Sequence, residues 1–71
     1  MQFDYSKLRG RIKEKVGTET YMAEKLKLSR ASFSQRLNNK IEFSQEEIKV
    51  IGDLLEIPPT QLTDYFFTEK V

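Results

Sequence analysis

Apolar residues recur at steps of three and four in successive segments of this chain, which is the spacing of one face of an α-helix. Tyr5, Leu8 and Ile12 follow this spacing near the start, and residues 48–55 follow it again later. No segment has the alternation of apolar and polar residues that is typical of a strand. The pattern therefore predicts an all-α fold.

Capping and breaking residues divide this pattern into five short helices. Thr18, Ser29 and Ser44 are residue types that cap a helix N-terminus. Ser44 is followed three residues later by Glu47, which is the spacing of a capping box, and prolines 58–59 end the fourth helix. We predict one domain, a compact bundle of five short helices.

Length and composition exclude several kinds of site. The chain has 71 residues with no cysteine and no histidine, which excludes a disulfide framework, a thiolate zinc site and a Ser-His or Cys-His pair. So short a chain has little room for a deep pocket, so we expect no enzyme, no cofactor and no metal. No apolar run approaches the roughly 18 residues of a membrane span, and the first residues lack the apolar core of a signal peptide. These features predict a cytoplasmic protein with no membrane partner.

Charge is distributed unevenly along the chain. Residues 1–40 carry ten basic and four acidic side chains, a balance of +6, whereas residues 41–71 carry two basic and seven acidic ones, a balance of −5. Such asymmetry points to an anionic partner that meets one face of the protein. The alternative is a solvated surface on which the two signs are unevenly spread.

The basic half contains a candidate helix-turn-helix at residues 18–38. Two short helices, predicted at 18–26 and 29–37, are joined by a tight turn. Phe33 and Leu37 lie four residues apart and face the core, which leaves basic and hydrogen-bonding side chains on the other side. In such a unit the second helix enters the major groove of DNA.

These residues resemble the repressor/Cro-type helix-turn-helix family of temperate phages. The resemblance runs over about residues 5–67 and is carried by "MAEKL", the spacing to "LS", "SFSQRLNNK" and "EIPPTQLTDYFF". The chain is similar to very short regulators of phages of Gram-positive bacteria, which are encoded beside the lysogenic repressor. Some of these are Cro-like operator binders, and others are modulators of repression that bind the repressor itself. The resemblance implies a lambda-repressor-like fold and a role in the lysis–lysogeny switch.

The resemblance also implies which residues would contact operator DNA. The family's base-reading positions fall on Arg30, Ala31, Ser32 and Gln35. Arginine can make a bidentate contact to guanine, glutamine one to adenine, and alanine can touch a thymine methyl. The residues expected to contact phosphates, which fix register without reading sequence, are Ser29, Ser34, Arg36, Asn38 and Lys40.

Two residues depart from the family pattern. Lys27 stands in the turn where glycine is usual, and a left-handed lysine would cost about 1–2 kcal/mol, so we expect a wider or a strained turn. Glu19 stands where glutamine often reaches a phosphate. Its carboxylate either stabilises its own helix N-terminus or indicates a surface suited to a basic protein partner.

Two functions follow from these observations. The first is binding to operator DNA. The second is an antirepressor function, in which the chain binds the phage repressor protein and blocks or alters the repressor's DNA binding. The residues expected at such a protein interface are Glu19, Tyr21, Glu24, Ile41 and Glu42. Tyr21 and Ile41 lie off the apolar stripes, so each is either a partner contact or a half-buried packing residue.

The end of the chain leaves the oligomeric state open. Residues 65–67, "YFF", either cover the core as a lid or form a patch for a homodimer. We expect residues 68–71 to fray.

Overall fold

The computed structural model describes residues 2–71, and within them it has five α-helices and no β-strand. The helices are α1 Ser6–Lys15, α2 Glu19–Lys25, α3 Arg30–Leu37, α4 Gln45–Leu54 and α5 Leu62–Phe66. A turn of 3-10 helix, Pro59–Gln61, leads into α5. The prediction of an all-α, five-helix fold is confirmed. None of the helices in the described residues is both long and apolar enough to span a bilayer.

The predicted caps start three of the helices. The side chains of Thr18 and Ser29 each accept a hydrogen bond from the backbone N–H three residues later. Ser44 and Glu47 form a reciprocal capping box, with donor–acceptor distances of 3.0 and 3.1 Å. Each bond satisfies a backbone donor that the first turn of a helix leaves without an intrahelical partner.

One hydrophobic core joins all five helices. Its buried residues are Tyr5, Leu8, Ile12, Met22, Ala23, Phe33, Leu37, Ile51, Leu55, Ile57, Tyr65 and Phe66. Within the segment 65–67, Tyr65 and Phe66 are buried and cover the core, whereas Phe67 stays half-exposed. The lid interpretation therefore describes the first two residues of that segment, and Phe67 remains available at the surface.

The turn between α2 and α3 is strained, as the lysine in it indicates. Lys27 has a φ of 59°, in the left-handed region that favours glycine. The turn stays tight because the N–H of Leu28 donates to the carbonyl of Ala23 at 2.9 Å. Asn39 and Glu56 also have left-handed φ values, of 64° and 55°, after the ends of α3 and α4.

Backbone hydrogen bonds made by the residues on either side of Phe3 join the two ends of the chain. The N–H of Asp4 donates to the carbonyl of Thr68 at 2.7 Å, and Lys70 N–H donates to Gln2 carbonyl at 3.0 Å. On the other side of Phe3, the amide of Asn39 accepts from its N–H at 2.8 Å and donates to its carbonyl at 2.9 Å. Thus residues 68–70, which the sequence predicts to fray, make backbone hydrogen bonds.

Replacing Asn39 should loosen this junction. Asn39→Ala loses both hydrogen bonds and puts alanine, which tolerates the left-handed region less well than asparagine, at a φ of 64°, so we expect about 2–4 kcal/mol lower stability in urea unfolding. Asn39→Gly loses the same bonds without the backbone strain, so it should cost less. In both variants hydrogen exchange at the Phe3 amide should accelerate. Unchanged exchange at Phe3 in both variants would contradict the proposed junction.

Candidate interaction surfaces

The outer side of α3 carries most of the residues expected to contact DNA. Phe33 is fully buried and Leu37 nearly so, which fixes the rotation of the helix about its axis. Ser29, Arg30, Ala31, Gln35, Asn38 and Lys40 are exposed, and Ser32, Ser34 and Arg36 are partly buried. Arg30 and Gln35 are therefore held toward solvent, as a base-reading helix requires.

Several polar groups of this surface bind one another. The guanidinium of Arg30 donates to the hydroxyl of Thr20 on α2 at 3.0 Å. The side-chain amide of Asn38 donates to the Ser34 hydroxyl at 3.2 Å. These contacts order the surface, and contact with a phosphate or base would have to replace or bridge them.

Arg36 faces α4 instead of the outer side of α3. It donates to the two carboxylate oxygens of Glu47 from Nε and Nη2, at 2.9 and 3.2 Å, and from Nη1 to its own helix at the carbonyl of Ser32. The Arg36 side chain is 13% exposed and that of Glu47 17%. The pair holds α3 against α4, and its geometry favours a structural role over contact with phosphate.

The same contacts shift the titration of Glu47. Burial raises the pKa of its carboxyl, but hydrogen bonds from Arg36 and from the backbone N–H of Ser44, together with the charge of Arg36, lower it more. The pKa of Glu47 therefore lies below its ordinary value. A carboxyl with a lowered pKa stabilises the fold above its unfolded pKa, and this contribution is lost as the pH falls through the folded pKa.

Acid should therefore weaken the fold partly through Glu47. We expect Glu47→Gln to lower the free energy of unfolding at pH 7 by about 1.5–3 kcal/mol, the range for hydrogen bonds to a charged group. Its deficit relative to the unaltered chain should shrink as the pH falls below about 4.3, the ordinary carboxyl pKa. Urea unfolding between pH 7 and 3 measures this, with the exposed neighbour in Glu46→Gln as control. A deficit independent of pH would contradict the assignment.

Glu19 forms a salt bridge within the protein. Its carboxylate accepts a hydrogen bond from Arg9 of α1 at 2.8 Å, and Arg9 also reaches the side chain of Asn38 at 3.5 Å. The Glu19 side chain is 22% exposed. Arg9 thus connects α1 to the start of α2 and the end of α3, which gives Glu19 a structural partner in addition to the two roles considered from the sequence.

In the folded chain, several basic side chains of residues 1–40 are paired with carboxylates. Four of the ten basic side chains of residues 1–40 form salt bridges: Arg9 with Glu19, Arg11 with Glu14, Lys15 with Glu56 and Arg36 with Glu47. Two of these carboxylates come from the acidic part of the sequence. The surface is consequently less polarised than the balances of +6 and −5 indicate.

A second surface is apolar and lies where the chain ends meet the segment after α3. We call Phe3, Ile41, Glu42, Phe43 and Phe67 the aromatic surface. Ile41 is 42% exposed and Phe67 48%, while Phe3 and Phe43 are partly buried. Two adjoining grooves of about 230 and 280 Å³ open on it.

The rings of this surface continue into the core. Phe3 and Phe67 meet edge to face with centroids 5.7 Å apart, and Phe43 meets the buried Phe66 at 5.4 Å. Phe43 also contacts Phe33 of α3 at 6.2 Å. Helical periodicity does not predict that Phe3 belongs to this surface, because the residues that it contacts lie at the far end of the chain and after α3.

The residues expected at a protein interface divide into two groups. Glu19, Tyr21 and Glu24 lie on α2, whereas Ile41 and Glu42 belong to the aromatic surface. Tyr21 is 42% exposed, and the Lys25 ammonium lies 5.1 Å from the centroid of its ring. Within residues 2–71 no group of His, Cys, Asp or Glu side chains could hold a metal ion.

Comparisons with known proteins give a family and a structural relative. A family model described as "Protein of unknown function (DUF739)" matches residues 1–69. The solution structure of the modulator of repression (MOR) of the temperate bacteriophage TP901-1 from Lactococcus lactis is 39% identical to this chain. The match covers 100% of this chain and 96% of that one, with a TM-score of 0.81. A search of curated proteins finds no match.

Proposed function

The chain belongs to the DUF739 family, and from that premise we propose that it is a modulator of repression of a temperate phage. It acts by binding the lysogenic repressor protein and blocking or altering the repressor's contact with DNA. The full-length likeness to the TP901-1 modulator of repression carries this proposal. The role is regulatory rather than enzymatic, and its setting is the cytoplasm of the bacterial host. Membership of the repressor/Cro-type family stays a prediction.

The exposed acids support a protein partner. Glu24 and Glu42 are exposed, and no salt bridge within residues 2–71 engages either of them. Each lies near an exposed apolar side chain, Tyr21 on α2 and Ile41 in the aromatic surface. A DNA-binding repressor presents basic groups, so these carboxylates have the complementary sign, and apolar residues beside them would supply binding energy.

The internal ion pairs also favour this function over DNA binding as the main activity. Arg9 of α1, beside the start of α2, and Arg36, near the end of α3, are each paired with a carboxylate. A base already paired in this way releases fewer counterions when it meets a phosphate, so it contributes less to DNA affinity.

Mixing the chain with the repressor encoded beside it tests this proposal. We expect a stable complex in size-exclusion chromatography with light scattering, and a dissociation constant of about 1 μM or tighter, which corresponds to roughly 8 kcal/mol. The complex should form without DNA and should change the repressor's affinity for its operator in a gel-shift titration. A non-cognate phage repressor serves as control. No complex at tens of micromolar would refute the proposal.

Operator binding is the second candidate, and the outward direction of Arg30, Ala31 and Gln35 on α3 supports it. Here Arg30→Ala should lower discrimination between operator and unrelated duplex by about 1–3 kcal/mol. Lys40→Ala should weaken binding to all duplexes alike and reduce the dependence on salt. Fluorescence anisotropy at several salt concentrations measures both effects. Absence of salt-sensitive binding near physiological ionic strength would exclude this candidate.

A further inference from the structure

We propose that the repressor docks on the aromatic surface, where it inserts an apolar side chain beside a lysine or arginine that pairs with Glu42. This inference rests on the proposed function and specifies which of the two groups of expected contact residues meets the partner. It also adds Phe3, Phe43 and Phe67 to that interface.

The apolar part of the surface is exposed but firmly supported. Ile41 and Phe67 leave close to half of their side chains in water. Behind them, Phe43 packs edge to face against Tyr5 and Phe66, with centroid distances of 5.4 Å in both cases. A rigid aromatic surface loses little conformational entropy on binding, and aromatic residues are frequent among the residues that dominate binding energy.

Glu42 gives the surface its charge preference. Among residues 2–71 it is the one Asp, Glu, Lys or Arg residue that lines either groove, and it lines both. Burial raises the pKa of the Tyr5 phenol, and the negative charge of Glu42 raises it further. A largely apolar groove whose one carboxylate is engaged by no salt bridge within residues 2–71 complements an apolar side chain accompanied by a cation.

The same carboxylate disfavours a second copy of this chain as the occupant. A symmetric homodimer uses the same patch on both subunits, so residues near the centre of the patch approach their own counterparts. Glu42 lines both grooves, so it lies near that centre and would meet a second Glu42. Like charges brought together in a partly desolvated interface oppose association.

Two of the three residues in the group on α2, Glu19 and Tyr21, are less available. The Glu19 carboxylate is bound by Arg9, and the ring of Tyr21 lies beneath the ammonium of Lys25. A partner that docked there would have to displace these contacts. Docking on the aromatic surface displaces none of the salt bridges formed within residues 2–71.

Single substitutions in both groups, measured by isothermal titration calorimetry with the cognate repressor, test the inference. We expect Ile41→Ser and Phe67→Ser each to weaken binding at least tenfold, and Glu42→Lys to weaken it more than Glu42→Gln. Val50→Ser and Leu54→Ser are matched controls, because these side chains on α4 are similarly exposed, at 39% and 37%. They should stay within twofold, as should the charge control Glu46→Lys.

Each outcome has one meaning. If the unaltered chain does not bind the repressor, both the proposed function and this inference fail. If it binds and Ile41→Ser, Phe67→Ser and Glu42→Lys bind equally well, only this inference fails, and loss in Tyr21→Ser and Glu24→Lys would place the interface on α2. If Ile41→Ser instead converts a dimer of this chain into monomers without weakening repressor binding, the occupant is a second copy and the inference is overturned. Thermal melts confirm that each variant folds, and Ile41→Ser stands in for Phe67→Ser if the latter unfolds.

Discussion

The burial of Phe33 determines the arrangement of both candidate surfaces. This ring is fully buried at the centre of α3, and burying a phenylalanine side chain contributes about 1.5–3 kcal/mol. Because it faces inward, the opposite side of α3 faces solvent with Arg30 and Gln35. Because Phe43 packs against Phe33, the segment after α3 is held beside the chain ends, where the aromatic surface forms. One buried ring therefore positions a polar surface on one side and supports an apolar surface on the other.

Ion pairing within the fold changes the meaning of the charge pattern. A chain with ten bases in its first 40 residues suggests a nucleic-acid partner, yet four of those bases meet carboxylates after folding. The Arg36–Glu47 pair is the clearest case, because it is mostly shielded from water and contributes to the packing of α3 on α4. The exposed surface therefore carries charges of both signs, which suits recognition of another protein better than a continuous positive stripe would.

A fold built to present α3 can thus serve a partner other than DNA. The helices, caps and core are compatible with either activity, since a fold does not by itself imply a function. The distinction lies in surface groups: the pairing of Arg9 with Glu19, the exposed carboxylate of Glu42 and the exposed Phe67. These features, together with the full-length likeness to a phage modulator of repression, support a regulator that acts on the repressor protein.

Sequence alone determined what depends on near neighbours. Apolar spacing and the caps at Thr18, Ser29 and Ser44 specify the helices, because a cap joins residues only three positions apart. The same spacing determined that Phe33 and Leu37 face inward and Arg30 outward. Tertiary structure decided what depends on distant residues. The hydrogen bonds between Asn39 and Phe3 join residues 36 positions apart, and the Arg36–Glu47 pair joins residues 11 positions apart. No local pattern encodes such contacts, so which charges stay free and where the aromatic surface lies emerged only from the packed fold.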